Sequence, residues 1–325
     1  MTTPRFPGQR DGVSRLKRII LGTVGVVSLL FVIIMVVIFV PKHKAKGLDT
    51  NDRIACPGFK DKSDCTSHGC EYANLKRGPS CYMKKNSFGY KVEDIINKAD
   101  GMVATLSNLS SSTPYGPGFS SVTFEVTYIT EEILRIKLFD AKRSRYEVLV
   151  QEGFPLLQTK KKVDAKKTAY NISVSEKSDV FSFQIRRSED NTVIWDTRIG
   201  GLVLSDKFLQ ISSYLPSKNI YGLGEHVYPS IQHDLEYKTW PMFARDRTPE
   251  AGFINLYGVH PFYTCLENSS KSHGVLLLNS NAMDVTLLPA PAITFRSIGG
   301  IIDLFFFVGK DPEDTVKLYT SVRHS

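Results

Sequence analysis

The chain begins with one long apolar block. Residues 19–40 form an uncharged run of 22 residues. As a helix, this run would be about 33 Å long, which is enough to cross the apolar core of a bilayer. It is longer than the apolar region of a typical cleavable signal peptide, and Pro41 and Lys42 follow it in place of a small-residue cleavage site. The pattern predicts an uncleaved transmembrane anchor, with a signal peptide as the alternative.

From about residue 88, apolar residues recur at every second position. The clearest alternations are Val122, Phe124, Val126 and Tyr128; Leu134, Ile136 and Leu138; and Phe181, Phe183 and Ile185. Further strand-like runs lie near residues 192–195, 208–212, 262–266, 274–278 and 301–308. Period-two alternation between polar turns is typical of half-buried strands. The pattern predicts an antiparallel β-sandwich of one or two sheets, followed by a helix with Asp311 as its N-cap and Pro312 at its first position.

The segment after the anchor differs from both patterns because it is rich in Gly, Lys and Cys. Four cysteines fall within 26 residues: Cys56, Cys65, Cys70 and Cys81. Such a density is typical of oxidising compartments and predicts a small module held by disulfides. A zinc site that also uses His68 is the alternative, disfavoured because reduced thiolates are not expected on the lumenal side.

The net charge of +8 is concentrated at the N-terminus. Residues 1–46 carry eight basic side chains against one acidic, whereas the rest of the chain carries 33 against 32. A nucleic-acid-binding domain usually has a basic face, so no nucleic-acid partner is predicted. The lysines at 160–162 and 166–167 are interpreted as a solvated loop rather than a site for an anionic partner.

The charges that flank the anchor indicate its orientation. Five basic residues precede the apolar run and three follow it closely, which favours a cytoplasmic N-terminus. Three N-glycosylation sequons, at Asn108, Asn171 and Asn268, lie on the same side of the anchor as the cysteines. A single-pass type II membrane protein with an extracytoplasmic C-terminal part is predicted.

Other candidate motifs have plainer interpretations. Gly222-Leu223-Gly224-Glu225 lacks the context of a phosphate-binding loop and is interpreted as a tight turn between strands. Cys265 is interpreted as a quiet buried thiol. His226 and His233 are interpreted as structural or surface residues. No metal site and no cofactor are predicted.

Two segments carry a resemblance to known families. The cysteine segment, with Ala55-Cys56 and His68-Gly69-Cys70-Glu71, resembles a trefoil (P-type) domain, which usually has six cysteines. The first is absent here, and Glu71 stands at the fifth, so one whole bridge is missing. The resemblance implies bridges Cys56–Cys70 and Cys65–Cys81, and a module weakened by a few kcal/mol.

The second segment runs from about residue 196 to 319. It contains Tyr221-Gly222-Leu223-Gly224-Glu225-His226-Val227, Lys238-Thr239-Trp240-Pro241, Arg245-Asp246-Arg247-Thr248-Pro249, Asn255-Leu256-Tyr257-Gly258 and Gly299-Gly300-Ile301-Ile302-Asp303. It is similar to the N-terminal β-sandwich of family 31 glycoside hydrolases, especially the intestinal brush-border α-glucosidases. Those enzymes also begin with a short tail, a signal anchor and a trefoil domain.

The resemblance implies that the chemistry lies elsewhere. In this family a (β/α)₈ barrel follows the sandwich and carries an Asp nucleophile and an Asp acid/base, because a retaining glycosidase needs two closely spaced carboxylates. The chain has no Trp-x-Asp-Met-Asn-Glu-like motif, so we expect no catalytic residue and an absent barrel. Asp246 and Thr248 match a family loop that contacts the bound sugar; Arg247 between them departs from the family pattern. A polar surface loop without function is the alternative.

Together these expectations give a mostly β protein in six parts. They are a cytoplasmic tail (1–18), the transmembrane anchor (19–40), a stalk (41–54), the trefoil module (55–87), the β-sandwich (88–310) and a helix leading towards the barrel (311–325).

We expect the membrane-anchored N-terminal portion of an α-glucosidase, at the apical plasma membrane by resemblance. Alone it should be inactive and bind carbohydrate weakly or not at all. Two alternatives stay open: a fragment of a longer enzyme that hydrolyses terminal α-1,4-linked glucose, and a non-enzymatic trefoil module that binds carbohydrate or mucin.

Overall fold

A computed structural model describes residues 50–148 and 163–323. The predicted membrane span at residues 19–40 lies outside these ranges. Within them, no helix is both long enough and apolar enough to cross a bilayer. The described residues belong to one compact unit.

The cysteine module comes first and has little regular structure. A short 3-10 turn, Thr50–Asp52, precedes helix α1 (Lys62–Ser67), strand β1 (Glu71–Tyr72) and strand β2 (Cys81–Tyr82). Asp61 caps α1, since its Oδ1 accepts a hydrogen bond of 2.9 Å from the N–H of Asp64. No apolar periodicity indicates this six-residue helix, because it buries one side chain only, Cys65.

Disulfides hold the module together. Cys56 is bonded to Cys70, and Cys65 to Cys81, which are the two pairs that the resemblance to a trefoil domain implies. The sulfurs are thereby consumed, so they offer no thiolate to a zinc ion. Arg53 and Ile54, which the prediction assigned to the stalk, are 8% and 5% exposed and pack with the cysteine module, so the module is described from Arg53 onwards.

Eighteen further strands follow in the described residues. They are β3 (Tyr90–Lys98), β4 (Gly101–Asn108), β5 (Ser112–Thr113), β6 (Gly116–Pro117), β7 (Ser121–Tyr128), β8 (Ile133–Asp140), β9 (Tyr170–Val174), β10 (Phe183–Arg187), β11 (Val193–Asp196), β12 (Val203–Ser205), β13 (Phe208–Tyr214), β14 (Asn219–Gly224), β15 (Lys238–Met242), β16 (His260–Leu266), β17 (Ser272–Leu277), β18 (Met283–Leu288), β19 (Ala292–Ser297) and β20 (Ile302–Gly309). Helix α2 (Pro312–Arg323) ends the described chain.

Most of these strands form two eight-stranded sheets with antiparallel pairing. Sheet I has the order β15-β18-β19-β13-β11-β10-β9, with β12 beside β13. Sheet II has the order β14-β16-β17-β20-β8-β7-β4-β3. Strands β5 and β6 form a separate small hairpin. The predicted mostly β, antiparallel architecture is confirmed.

The main core lies between the two sheets. Sheet II contributes Val122, Phe124 and Ile136, and sheet I contributes Ile211 and Phe295, all at most 1% exposed. These residues occupy every second strand position, as the alternation predicts. Burial of their apolar surface is the main stabilising contribution of the sandwich.

Strands β17 and β20 of sheet II are buried on both faces because α2 covers their outer side. In β20, Phe306 points to the main core, whereas Phe305 and Phe307 belong to a second cluster with Tyr319 of α2. A strand buried on both faces has a continuous apolar sequence, which explains the run from Leu304 to Val308. As predicted, Asp311 caps α2: its Oδ1 accepts a hydrogen bond of 2.8 Å from the N–H of Asp314.

Sheet I is also covered, but its outer face is polar. Leu209 and Ile211 of β13 point to the main core, whereas Gln210 and Ser212 point outwards and are still only 0% and 1% exposed. The cysteine module packs against this face, since Ile54 and Cys56 cluster with Val203 and Leu288.

A buried ion cluster links the two sheets at one end. Glu267, just after β16, accepts hydrogen bonds from Arg187 of β10, from Nη2 at 2.5 Å and from Nε at 3.1 Å. The Nδ1 atom of His273 lies 3.0 Å from the same carboxylate. Burial would raise the pKa of Glu267, but these hydrogen bonds outweigh it and lower the pKa below its ordinary value.

The prediction of a tight turn at residues 222–225 was wrong. Gly222 lies inside β14, where the pairing with β16 shifts register between Gly222 and Gly224. Its φ of +104° requires glycine, and a Cβ there would lie 2.6 Å from the carbonyl oxygen of Phe262. The glycine therefore serves a bulge in a strand rather than a turn between strands.

Candidate functional site

Asp246 and Thr248 lie on an exposed loop that follows β15. Residues 243–250 have no regular secondary structure, and both side chains face solvent. Arg247 between them is half-buried and forms an ion pair of 2.8 Å with Glu250. This pair directs the guanidinium along the loop and leaves Asp246 without an ion-pair partner among the described residues.

Hydrogen bonds fix the base of this loop. The N–H of Phe243 donates to Oδ1 of the buried Asn255 at 2.9 Å, and the N–H of Arg245 donates to the carbonyl of Leu256 at 2.6 Å. Asn255 is 6% exposed and Leu256 is 2% exposed, so the segment that follows the loop is anchored in the protein. The loop therefore presents Asp246 from a fixed base.

The segment that follows β14 contacts the residues that come after the candidate loop. Nδ1 of His226 bonds the carbonyl of Ile254 at 2.9 Å. The carboxylate of Glu225 accepts a hydrogen bond of 2.8 Å from the N–H of Gly258. Residues 225–228 and 251–258 are thereby joined side by side, which connects the Gly-Leu-Gly-Glu-His motif at residues 222–226 to the segment that follows the loop.

An aromatic cluster lies beneath this region. The ring of Trp240 lies 4.4 Å from Tyr228, 4.4 Å from Phe253, 5.2 Å from His226 and 6.3 Å from His233, measured between centroids. Trp240 is 4% exposed. Sequence reasoning missed this cluster because its members come from four separate segments, and neither histidine was expected to face a tryptophan.

The histidines of the cluster are structural, as predicted. His233 is 6% exposed, and its Nε2 bonds the carbonyl of Gly222 at 2.8 Å. Burial lowers the pKa of His233, which favours the neutral ring at physiological pH. Cys265 is a free, buried thiol whose pKa burial raises to about 12, which makes it unreactive, in line with the prediction.

The same region exposes several large apolar side chains. Val227, Ile231, Phe243, Phe253 and Tyr257 are between 37% and 85% exposed. All five lie in residues 225–258, on the chain that frames the candidate loop. Exposed apolar residues clustered around a polar loop are typical of a surface that contacts another protein domain.

The buried carboxylates of the described residues are committed to ion pairs. Four acidic side chains are buried, and each contacts an arginine: Asp140 with Arg143, Asp196 with Arg198, Glu267 with Arg187, and Asp303 with Arg135, at 2.5–2.9 Å. A retaining glycosidase needs one ionised nucleophile and one protonated acid facing a cleft. In the described residues, the four buried carboxylates are instead held by arginines.

The remaining predicted residues lie on the surface. Asn171 and Asn268 are exposed, and Asn108 is half-buried at the end of β4. The amide of Asn108 bonds the carbonyl of Ser110, and that of Asn268 bonds the carbonyl of Pro216. Lys166 and Lys167 lie in an exposed turn; Lys160, Lys161 and Lys162 lie outside the described residues.

The sandwich with its two large antiparallel sheets is of the galactose mutarotase-like class. A family model described as the glycosyl hydrolase 31 N-terminal galactose mutarotase-like domain matches residues 123–285. The chain therefore belongs to this family of glycosyl hydrolase 31 N-terminal domains. The match includes β14, β15 and the candidate loop.

Curated relatives extend the similarity to most of the chain. It is 38% identical to human intestinal sucrase-isomaltase over 283 residues, which are 84% of this chain and 15% of that protein. It is 42% identical to human probable maltase-glucoamylase 2 over 243 residues, 74% of this chain and 9% of that protein. It is 35% identical to rat lysosomal α-glucosidase over 282 residues, 84% of this chain and 28% of that protein. The chain thus spans less than a third of the length of these relatives.

A solved structure supports the fold. The crystal structure of a glucosidase II α subunit superimposes with a TM-score of 0.58 over 73% of this chain and 34% of that chain, at 14% identity. At this identity the similarity concerns the architecture of the sandwich.

Proposed function

We propose that this chain is the membrane-anchored, non-catalytic N-terminal portion of an α-glucosidase. Its sandwich would dock against a catalytic domain, and its loop 243–250 would place Asp246 and Thr248 against the bound sugar. The observation that carries this proposal is the candidate loop itself, which is exposed, fixed at its base and framed by exposed apolar side chains. Carboxylate and hydroxyl oxygens are suitable partners for sugar hydroxyls.

Activity would then require residues beyond those of this polypeptide. The buried carboxylates all form ion pairs with arginines, which supports this part of the proposal. The purified 325-residue chain should release no glucose from maltose above a buffer blank. Turnover that survives further purification would contradict the proposal.

A chimera tests the role of the loop. This chain would replace the matching N-terminal segment of human probable maltase-glucoamylase 2, and hydrolysis of maltose would be measured. Asp246→Asn and Thr248→Val should each lower kcat/KM by about tenfold, because each removes a hydrogen bond to the sugar. Asp94→Asn, an exposed aspartate in β3 on sheet II, is the matched control and should leave kcat/KM unchanged. Equal activity of all variants would show that the loop does not contact substrate.

Anchoring and orientation are tested separately. The apolar run at residues 19–40 and its basic flanks support a type II orientation. In microsomes the chain should resist alkaline extraction, and removal of N-glycans should increase its mobility on a gel. Asn171→Gln and Asn268→Gln should each remove one step of that shift, since both side chains are exposed. Release into the alkaline supernatant would contradict an anchor.

A further inference from the structure

A cavity of 270 Å³ lies between the cysteine module and the outer face of sheet I. Its walls include three residues from each side: Arg53, Gly78 and Pro79 of the module, and Thr286, Thr294 and Arg296 of the sheet. Its volume is close to the lower end of the range for small-molecule sites. None of its lining residues belongs to the exposed loop at residues 243–250.

The polar groups on the sheet side are satisfied by their neighbours. Nε of Arg296 donates to Gln210 at 2.7 Å, and its Nη1 donates to Asp284 at 2.8 Å and to Thr286 at 2.7 Å. The hydroxyls of Ser212 and Thr294 lie 2.8 Å apart. The carboxylate of Asp284 therefore balances the charge of Arg296.

Arg53 on the module side is different. It is 8% exposed, yet its Nε and Nη1 atoms have no hydrogen-bond partner among the described residues. Its guanidinium lies 4.2 Å from the ring centroid of Tyr82, which compensates part of the charge. The carboxylate of the adjacent Asp52 accepts a hydrogen bond from Tyr214 at Oδ2, and its Oδ1 has no hydrogen-bond partner among the described residues.

This arrangement leaves two buried N–H groups of a guanidinium without an acceptor beside the cavity. A buried charge without a carboxylate partner is costly, because desolvation is not offset by an ion pair. The cost falls if an anion occupies the cavity. Since Arg296 already pairs with Asp284, the N–H groups of Arg53 are the donors that lack an acceptor, and they favour a ligand with an anionic oxygen.

The remaining walls of the cavity can contact the apolar part of a small organic ligand. Leu288, Pro79 and the ring of Tyr237 supply apolar surface, and threonine hydroxyls lie nearby. Gly78 packs against Tyr237, where a Cβ would lie 2.9 Å from the ring, and an ion pair joins Arg77 to Glu236. The folded module therefore sets the shape of the cavity.

We propose that this cavity binds a small organic carboxylate, with Arg53 as its main contact. A planar guanidinium matches the planar carboxylate group and forms strong, charge-assisted hydrogen bonds with it. A ligand of this kind would also tie the module to sheet I, since Arg53 belongs to the module and the threonines belong to the sheet.

The experiment uses the full 325-residue chain in detergent, with sodium glucuronate, glucose and inorganic phosphate as probes. Glucuronate and glucose share a ring and differ at the C6 carboxylate. Calorimetry should show saturable binding of glucuronate, weaker binding of phosphate and none of glucose. Glucuronate should also raise the melting temperature, because a ligand that binds only the folded state stabilises it.

Variants connect the binding to Arg53. Arg53→Met should weaken glucuronate binding by about tenfold or more, because the charge-assisted hydrogen bonds are lost. Lys76→Met removes an exposed positive charge from the same module and should leave binding unchanged. Arg53→Lys keeps the charge without the planar guanidinium and should bind with intermediate affinity, which provides a test if Arg53→Met fails to fold.

Four results would overturn the proposal. They are the absence of saturable glucuronate binding, equal binding of glucose, tighter binding of phosphate than of glucuronate, and full binding by a folded Arg53 variant. The first two would exclude a carboxylate site, the third would assign the cavity to a different anion, and the fourth would remove Arg53 from it.

Discussion

The two sheets of the sandwich are covered in opposite ways. Helix α2 lies on sheet II through aromatic and aliphatic side chains, with Phe262 and Tyr319 stacked at 4.2 Å between ring centroids. The cysteine module lies on sheet I over hydrogen-bonded Gln, Ser, Thr and Arg side chains and a cavity. One cover works by apolar burial, and the other combines a smaller apolar cluster with a polar layer.

This difference determines how far each cover can be inferred from sequence. An unbroken apolar strand such as β20 indicates that both faces are buried, so a second covering element is required. The alternation in β13 and β19 instead suggests a solvated outer face, although Gln210 and Thr294 are fully buried. The burial of this polar layer cannot be predicted from the sequence pattern. The module that covers it is held together by disulfides and has no apolar stripe that would indicate a packed face.

The largest effect is expected when the apolar cover is weakened. Phe307 is fully buried and packs against Phe262 and Tyr319, with ring centroids 6.0 Å and 5.5 Å away. Phe307→Ala should lower the free energy of unfolding by about 4 kcal/mol, because it opens a cavity beneath α2. Urea denaturation measures the loss. Val316→Ala, on the exposed side of α2, should change it by less than about 0.5 kcal/mol.

A smaller and more local effect is expected in the module. Replacing both Cys65 and Cys81 by Ser removes a bridge across 16 residues and should cost about 3 kcal/mol. The loss should appear as faster hydrogen exchange in residues 50–85, with β20 still protected. Equal loss of protection in both regions would mean that the module and the sandwich unfold together. The two covers would then not differ in their local free energy of unfolding.

The polar layer should lose stability when one member of a hydrogen-bonded pair is removed and the other is left in place. Thr294→Val leaves the hydroxyl of Ser212 without its partner and should cost about 1 kcal/mol. The double variant Ser212→Ala/Thr294→Val removes both polar groups and should recover most of that loss, as measured by urea denaturation. If the double variant is less stable than the single one, the hydrogen-bonded pair adds to the stability of the layer and does more than avoid an unpaired buried hydroxyl.

The last effect is a dependence of stability on pH, and it concerns a group that belongs to neither cover. The hydrogen bonds from His273 and Arg187 outweigh burial and hold the pKa of Glu267 below the ordinary value of 4.5. A lowered carboxyl pKa gives stability that is complete above about pH 5 and is lost as the pH falls through the lowered value. The stability difference between the native chain and Glu267→Gln should therefore be largest near pH 7 and shrink below pH 4.5. Urea midpoints between pH 7 and pH 3.5 provide the measurement, and a difference that grows with acid would reverse the sign of the inferred shift.

Much of the fold could be inferred from local pattern. The alternation in β7, β8 and β10, and the cap of α2 at Asp311, reflect short-range physics that a single segment contains. Strands β3 and β15 were not singled out, because the edge positions they occupy tolerate polar residues such as Glu93 and Lys238. Gly222 was assigned to a turn because a bulge and a turn both favour glycine.

The candidate site could be inferred less well. Asp246 and Thr248 were located through a resemblance, and nothing in their spacing alone marks a sugar contact. The support beneath them depends on contacts between distant segments, such as Trp240 with His226 and Asn255 with Phe243. A single sequence carries no direct record of those contacts, so the shape of the site required the structure.

The order of strands in sheet II has a consequence for synthesis. Strand β8 pairs on one side with β7, which precedes it directly, and on the other side with β20, more than 160 residues later. At a translation rate of about 5–20 residues per second, the second edge of β8 waits roughly 10–30 s for its partner. During that interval a nascent chain presents an unpaired strand edge that invites wrong pairing. The ribosome-bound protein is therefore expected to depend on a chaperone until β20 has emerged.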